Sequence, residues 1–402
     1  MPRPAHSLAA AAALCAVACS DSSSPTPPKK DLTQVTSRYT AELNVRGSYG
    51  YTSTWGTRSN PDGTSVRGNA VFIWNVAGAA PTIVDSLIVP SYPGLAGVTT
   101  TGDVQVTDDG TLLGVATERF GGQLVLYSLA DPAHPALLSQ FHSADTDPGV
   151  HTAELARVNG KLYAFLSIDP ASGFPARLVV LDLSDPAHPV QVLARVMGNP
   201  FVHDVFVRDS LLFTALWNDG LSIWDIGGSR GGTPANPVFI SNVRTFGGEV
   251  HNVWWFHDAS SGAKKYVFVG QEGPANLFTT TSGDIHVVDI SDITAPVEVA
   301  YYTVPGAGTH NFSVDESGGT LYAAYYNGGV RAIDVRGDLS TCAAAARGIN
   351  NLCELRAAGR ERAHYLDSGG RFIWGVQRVG DRVFASDMLH GLVAIDVSSL
   401  HR

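Results

Sequence analysis

The chain has 402 residues, 44% hydrophobic and only 16% charged, which fits a globular protein with a large core. Its net charge of −10, with no basic run to set against it, argues against nucleic acid as a partner and for acidity in the service of solubility. The 42 glycines and 22 prolines point to many tight turns and an all-β architecture.

Residues 1–19 read MPRPAHSLAAAAALCAVAC. Arg3 gives a positive start, and residues 8–18 form an apolar run of signal-peptide length, too short to anchor as a membrane span. Ala16-Val17-Ala18 suits ordinary signal cleavage. Small residues before Cys19 also resemble a bacterial lipoprotein signal with Cys19 carrying the lipid, although Ala16 stands where leucine is usual. Residues 20–30, SDSSSPTPPKK, hold no core-forming side chain and read as a Ser/Pro tether. A tether directly after a cysteine is what an anchored domain needs, so the lipoprotein reading is preferred over secretion. The expected place is the periplasmic or cell-surface side of a bacterial membrane, with the lipid as the only membrane contact.

From residue 31 onward the chain repeats. A third-strand marker recurs as VFIWNV (71–76), LVLYSL (124–129), LVVLDL (178–183), LSIWDI (221–226), IHVVDI (285–290), VRAIDV (330–335) and LVAIDV (392–397). The clearest unit, 203–226, reads HDVFVRDSLLFTALWNDGLSIWDI. Period-two alternation, β-branched and aromatic residues, and turns at 208–210 and 218–220 make these strands, with a fourth at 238–243. Seven copies of a four-stranded antiparallel unit predict a seven-bladed β-propeller over 31–402. The last copy ends at Val397 without a fourth strand. The segment 31–40, with Leu32, Val35 and Tyr39, is expected to supply it and so close the ring. One segment, 336–370, falls outside the repeat, is helix-prone, and is expected to cover the ring's rim or side. If the chain is exported, Cys342 and Cys353 within it are expected to form a loop-closing disulfide.

The phrases LVVLDLSDPAHPVQV and IHVVDISDITAPVEV, with LSIWDI, resemble the LVIVD-repeat family of bacterial and archaeal surface propellers. The resemblance spans about 31–397. It implies the propeller fold and assigns no catalytic residue.

Asp182, Asp225, Asp289, Asp334 and Asp396 close third strands. A ring of carboxylates invites a metal reading, but each lies just before a turn, where capping of backbone N–H groups is the preferred role. The histidines say more. His151, His203, His251 and His310 each open a first strand, three of them in VHDV, VHNV and THNF. First strands line a propeller's channel. Their starts share a rim with the loops that carry Glu118, Asp169, Asp219, Glu272, Asn327, Asp387 and His390. Neutral imidazoles there suit zinc, copper or iron, with Glu272 and Asp387 as supplementary ligands. His151, two residues further from its turn than His203, is expected one layer higher. The same slot holds Glu42, Gly102 and Trp374 or Gly375 in the other blades. The competing reading is that His-Asp and His-Asn pairs satisfy backbone groups between blades. Trp217, Tyr325 and Tyr326 end second strands and, with Glu118 and His390, are candidates for a small-molecule pocket; inter-blade packing is the alternative.

No nucleophile elbow, phosphate loop, dinucleotide fingerprint or zinc-helix motif occurs. The expected function is an exported, lipid-anchored propeller, acting as a monomer, that binds a small molecule or surface protein at its histidine-bearing mouth. The alternative is a metal-dependent oxidase or hydrolase using His203, His251 and His310.

Overall fold

The fourth repeat shows why the unit folds as it does. Its strands are Asp204–Arg208, Leu211–Ala215, Leu221–Asp225 and Val238–Val243, paired antiparallel in that order. Asp209 and Ser210 join the first two with φ of 49° and 62°. Two left-handed residues match the right-handed twist of the flanking strands. Leu212 and Phe213 are both fully buried. Successive side chains point to opposite faces of a strand. Leu212 accordingly packs with Phe165, Leu178 and Val180 of the third blade, and Phe213 with Val253, Val267 and Val269 of the fifth. A blade apolar on both faces needs a neighbour on each side, and that need builds the ring.

In the computed structural model, residues 32–95, 99–273, 276, 278–366 and 369–401 are described. The leader, Cys19 and the tether lie outside the described residues. The described residues form seven such sheets, with no α-helix among them. The first strands, from Tyr39–Arg46 to Ile373–Val379, face the central channel. All seven third-strand markers fall on third strands.

Two details differ from expectation. Among the described residues the seventh blade has three paired strands, Ile373–Val379, Arg382–Asp387 and Gly391–Asp396. The N-terminal segment does reach it, but as two backbone contacts rather than a ladder: Val35 N–H donates to His390 O at 2.8 Å and Thr40 N–H to Met388 O at 3.1 Å. Val35 is buried with Trp74, Phe384 and Leu392, which draws the segment into the gap between the last and first blades. Second, the segment 336–370 is not all insertion. Glu361–Tyr365 is the fourth strand of blade six, against Val330–Asp334. What precedes it holds no α-helix but two short 3-10 turns, Ala344–Ala346 and Ile349–Asn351. Cys353–Glu354 then pairs in parallel with Val297–Tyr302, adding a fifth strand to blade five. Leu339, Cys353 and Leu355 bury into the core between blades five and six, so the segment covers the ring's side.

Cys342 and Cys353 are disulfide-bonded, eleven positions apart. Closing a loop of that length contributes about 3 kcal/mol by restricting the unfolded chain. Replacing both by serine is expected to lower stability by up to that amount, read by urea unfolding; no change would mean that the strap is held by packing alone.

The strand-closing aspartates are turn caps. Asp182 accepts from Ser184 N–H, Asp289 from Ser291 N–H and Asp396 from Ser398 N–H, each at 2.8 Å, and Asp334 from Arg336 N–H at 3.1 Å. Asp225 gathers more, taking the N–H groups of Gly228, Arg230 and Gly232 at 2.6, 2.9 and 3.0 Å. Asp225→Ala would leave these donors unpaired and is expected to cost about 2–3 kcal/mol, against less than about 1 kcal/mol for Asp396→Ala at an exposed single-bond turn. Thermal melts of the two variants compare them directly.

Candidate functional site

Five of the seven first strands carry an irregularity at one level of the channel. In blade three, Val150 pairs with Ile168 and Thr152 with Ser167, which leaves His151 as the extra residue. His251 and Trp374 occupy the same position in blades five and seven. Blades one and two slip between Thr40 and Leu43 and between Thr101 and Val104, around Glu42 and Gly102-Asp103. A bulge re-aims a side chain, and here it turns these groups into the channel. His203 and His310 stand at the same level just before their strands, each donating its N–H to the second strand at 2.8 Å.

The four imidazoles form a continuous arc. Ring centroids are 4.2 Å apart for His151 and His203, 4.1 Å for His203 and His251, and 4.2 Å for His251 and His310. His203 Nε2 and His251 Nε2 lie 3.7 and 3.6 Å from the same oxygen, Glu272 Oε2. Tyr326 OH donates to the other oxygen of Glu272. His151 Nδ1 lies 3.2 Å from Glu118 and 3.6 Å from Asp169. At the far end His310 Nδ1 is 3.8 Å from Glu42, whose carboxylate accepts from Trp374 Nε1 at 2.7 Å and Asn311 Nδ2 at 2.6 Å.

The arc separates two spaces. Above it opens a mouth of about 860 Å³ walled by Trp55, Phe120, Phe201, Tyr326 and Trp374, with Arg119 and Asp169 at its lip. Below runs a polar channel of about 470 Å³ that holds Asp103, Gln105, Glu154 and Asp204.

Burial decides most of the charge states. It holds His203 and His310 well below the usual imidazole range, with neighbouring imidazoles adding to the effect, and brings His251 down to about 3. These three are neutral near pH 7. His151 goes the other way. Burial opposes its charge, but Asp169, Glu118 and Glu272 outweigh that and carry it up to about 10. Burial raises Glu272, lifts Asp204 to about 7 and Glu154 to about 8, and pushes Glu42 well above the carboxylate range.

A family model for the LVIVD repeat matches residues 174–194 and 280–304. The chain carries LVIVD repeats. No curated protein matches it. Among solved structures, Saccharomyces cerevisiae Sqt1 aligns with 11% identity and a TM-score of 0.56, over 91% of this chain and 85% of that one. The C-terminal WD40 domain of Sif2 aligns with 12% identity and a TM-score of 0.56, over 91% and 98%. At such identities the likeness concerns the fold alone.

In this LVIVD-repeat propeller the histidines do converge, and His151 stands beside His203 rather than a layer above it. Not every rim residue joins them. Asp387 is fully buried and accepts from Arg371 at 2.8 Å and Leu389 N–H at 3.0 Å, while His390 is turned to it at 2.8 Å. Tyr325 is fully buried between blades five and six, its hydroxyl on Tyr302 O at 3.2 Å. Trp217 stacks behind His203 at 5.1 Å. Of the residues read as pocket-lining, Glu118 and Tyr326 reach the mouth.

The competing reading, bridging between blades, holds in part: His203 meets the backbone of His251 and His310 that of Trp374, each in the next blade, and other side chains share the task. Asp103 Oδ2 accepts from Ala153 N–H at 3.0 Å, and Gln377 Nε2 donates to Val45 O at 3.0 Å. Sequence reasoning passed over Glu42, seen only as a slot without histidine, and over Asp103, Glu154, Phe120 and Phe201. The residue after each slot was the available signal: Asp103, Asp204, Asn252 and Asn311 form the next polar layer.

Proposed function

We propose that this chain is an exported propeller, tethered through a lipid on Cys19, that binds a small molecule at its histidine-floored mouth. The observation that carries the reading is the mouth itself, a concave space of about 860 Å³ with aromatic walls and convergent polar groups on its floor. Ligand sites have this size and composition. Export is supported by the apolar run at 8–18 and by the Cys342–Cys353 disulfide.

The probe of choice is anilinonaphthalene sulfonate, an aromatic anion suited to aromatic walls and Arg119. Titrated against the full chain, it is expected to saturate one site and quench Trp55 and Trp374. Phe120→Ala, at a lip residue 65% exposed and outside the core, is expected to weaken binding about tenfold, or about 1.4 kcal/mol. Binding that never saturates, or is equal in the variant, removes this reading. A second reading, a metal-dependent oxidase or hydrolase, is favoured by the approach of two neutral imidazoles to one carboxylate.

A further inference from the structure

We propose that His203, His251 and Glu272 bind one borderline transition-metal ion, of the zinc, iron or copper class, at the floor of the mouth. The inference rests on the reading of this mouth as the binding face and gives that face an anchoring point.

Distance is the first argument. Among the described residues these three are the group whose ligand atoms all lie within 4.8 Å of one another. Two ligand atoms about 2.1 Å from a tetrahedral ion stand roughly 3.4 Å apart. Each imidazole Nε2 is 3.6 or 3.7 Å from Glu272 Oε2, within a few tenths of that spacing.

The second argument is polar accounting. His251 is 3% exposed; its ring meets the Asn252 side chain, but neither ring nitrogen makes a well-formed hydrogen bond, and His203 Nδ1 is likewise buried without one. Buried polar groups are nearly always satisfied, so two buried rings that face one carboxylate oxygen at 3.7 and 3.6 Å, too far for a hydrogen bond to it, call for a shared partner. An ion bound to both Nε2 atoms and to Glu272 supplies it.

The surroundings fit a held ligand set. The Tyr326 hydroxyl fixes the Glu272 carboxylate, and the Trp217 ring lies nearly parallel to His203, 26° between planes. Such outer contacts orient ligands and tune affinity. Two nitrogens and one oxygen select a borderline metal over calcium or magnesium, which take oxygen ligands. His203 and Glu272 both border the mouth, so coordination positions the protein does not fill face the space where a ligand would sit.

The test uses the purified full chain after chelator treatment and dialysis. Zn²⁺ added in a calorimeter is expected to bind at one equivalent and raise the melting temperature. Co²⁺ in its place is expected to give the visible absorption of a nitrogen- and oxygen-bound ion. His203→Ala and His251→Gln are expected to abolish saturable binding. Tyr326→Phe is expected to weaken it about tenfold. His188→Ala, on an exposed turn, should bind as the parent does. Melting of each variant without metal confirms that it folds, and His251→Gln keeps a polar side chain at the buried site. Sub-stoichiometric binding by the parent, or unchanged binding by a folded His251→Gln chain, overturns the proposal. The two readings fail separately. Dye saturation without metal binding removes only the metal site; metal binding without dye saturation removes only the small-molecule mouth.

Discussion

Trp74→Ala is expected to destabilise the protein by about 3–5 kcal/mol, while Trp224→Ala costs roughly 1–2 kcal/mol. The two tryptophans hold the same place in their repeats. Each sits on a third strand and donates its indole N–H to a second-strand threonine, Trp74 to Thr52 at 2.9 Å and Trp224 to Thr214 at 3.0 Å. They differ in what covers them. Trp74 is fully buried among Val35, Phe384 and Leu392, where the last blade meets the first. Gly391 lies against it with φ of 107°, and a Cβ there would come within 2.9 Å of the indole, so the chain leaves this room to Trp74. Trp224 is only partly buried, with Phe239 on one side and Arg195 on the other. Truncating Trp74 therefore empties the closing seam, which no full fourth strand reinforces. Urea unfolding of the two variants decides the point. Equal costs would mean that the seam is no weaker than any other blade junction.

The ring was legible because its signal is repeated. Seven third strands read alike, and a missed turn in one copy is corrected by six others. The closing strand was not legible to the same degree, because Leu32, Val35 and Tyr39 look alike as apolar residues in a polar stretch, and the burial of Val35 depends on Trp74 and Gly391, far along the chain. The strap before Glu361–Tyr365 misled for a local reason. Its alanines suggest a helix, yet Gly348 and the Cys342–Cys353 bond leave room only for 3-10 turns. At the site, chain periodicity was enough to bring His203, His251 and His310 to one level, but not His151, which the bulge between Val150 and Thr152 sets beside His203 instead of a layer above. It could not show that Glu272 turns inward while Asp387 caps its own turn, since both stand at comparable loop positions. That choice is made by Tyr326 in one case and by Arg371 and Leu389 in the other.

The layer below the histidines leads to the second large effect. Glu154 faces the channel and accepts from Gln105 Nε2 at 2.6 Å. Burial raises its carboxyl from 4.5 to about 8, against the Gln105 hydrogen bond and with Asp204 and Asp103 repelling its charge. The folded chain thus keeps a proton that the unfolded chain has released. Stability from this source is fully present below about pH 4.5 and is lost as pH rises through about 8. Glu154→Gln keeps the shape and the acceptor for Gln105 without a charge to bury. The parent is expected to lose a few kcal/mol between about pH 6 and about pH 9 through this group, and the variant to lose correspondingly less. Some slope should persist, because burial also raises Asp103 and takes Asp204 to about 7, with the same sign. Urea unfolding at the two pH values measures the difference. If parent and variant lose stability in parallel, Glu154 is already ionised in the native channel, and water there screens it as bulk solvent would.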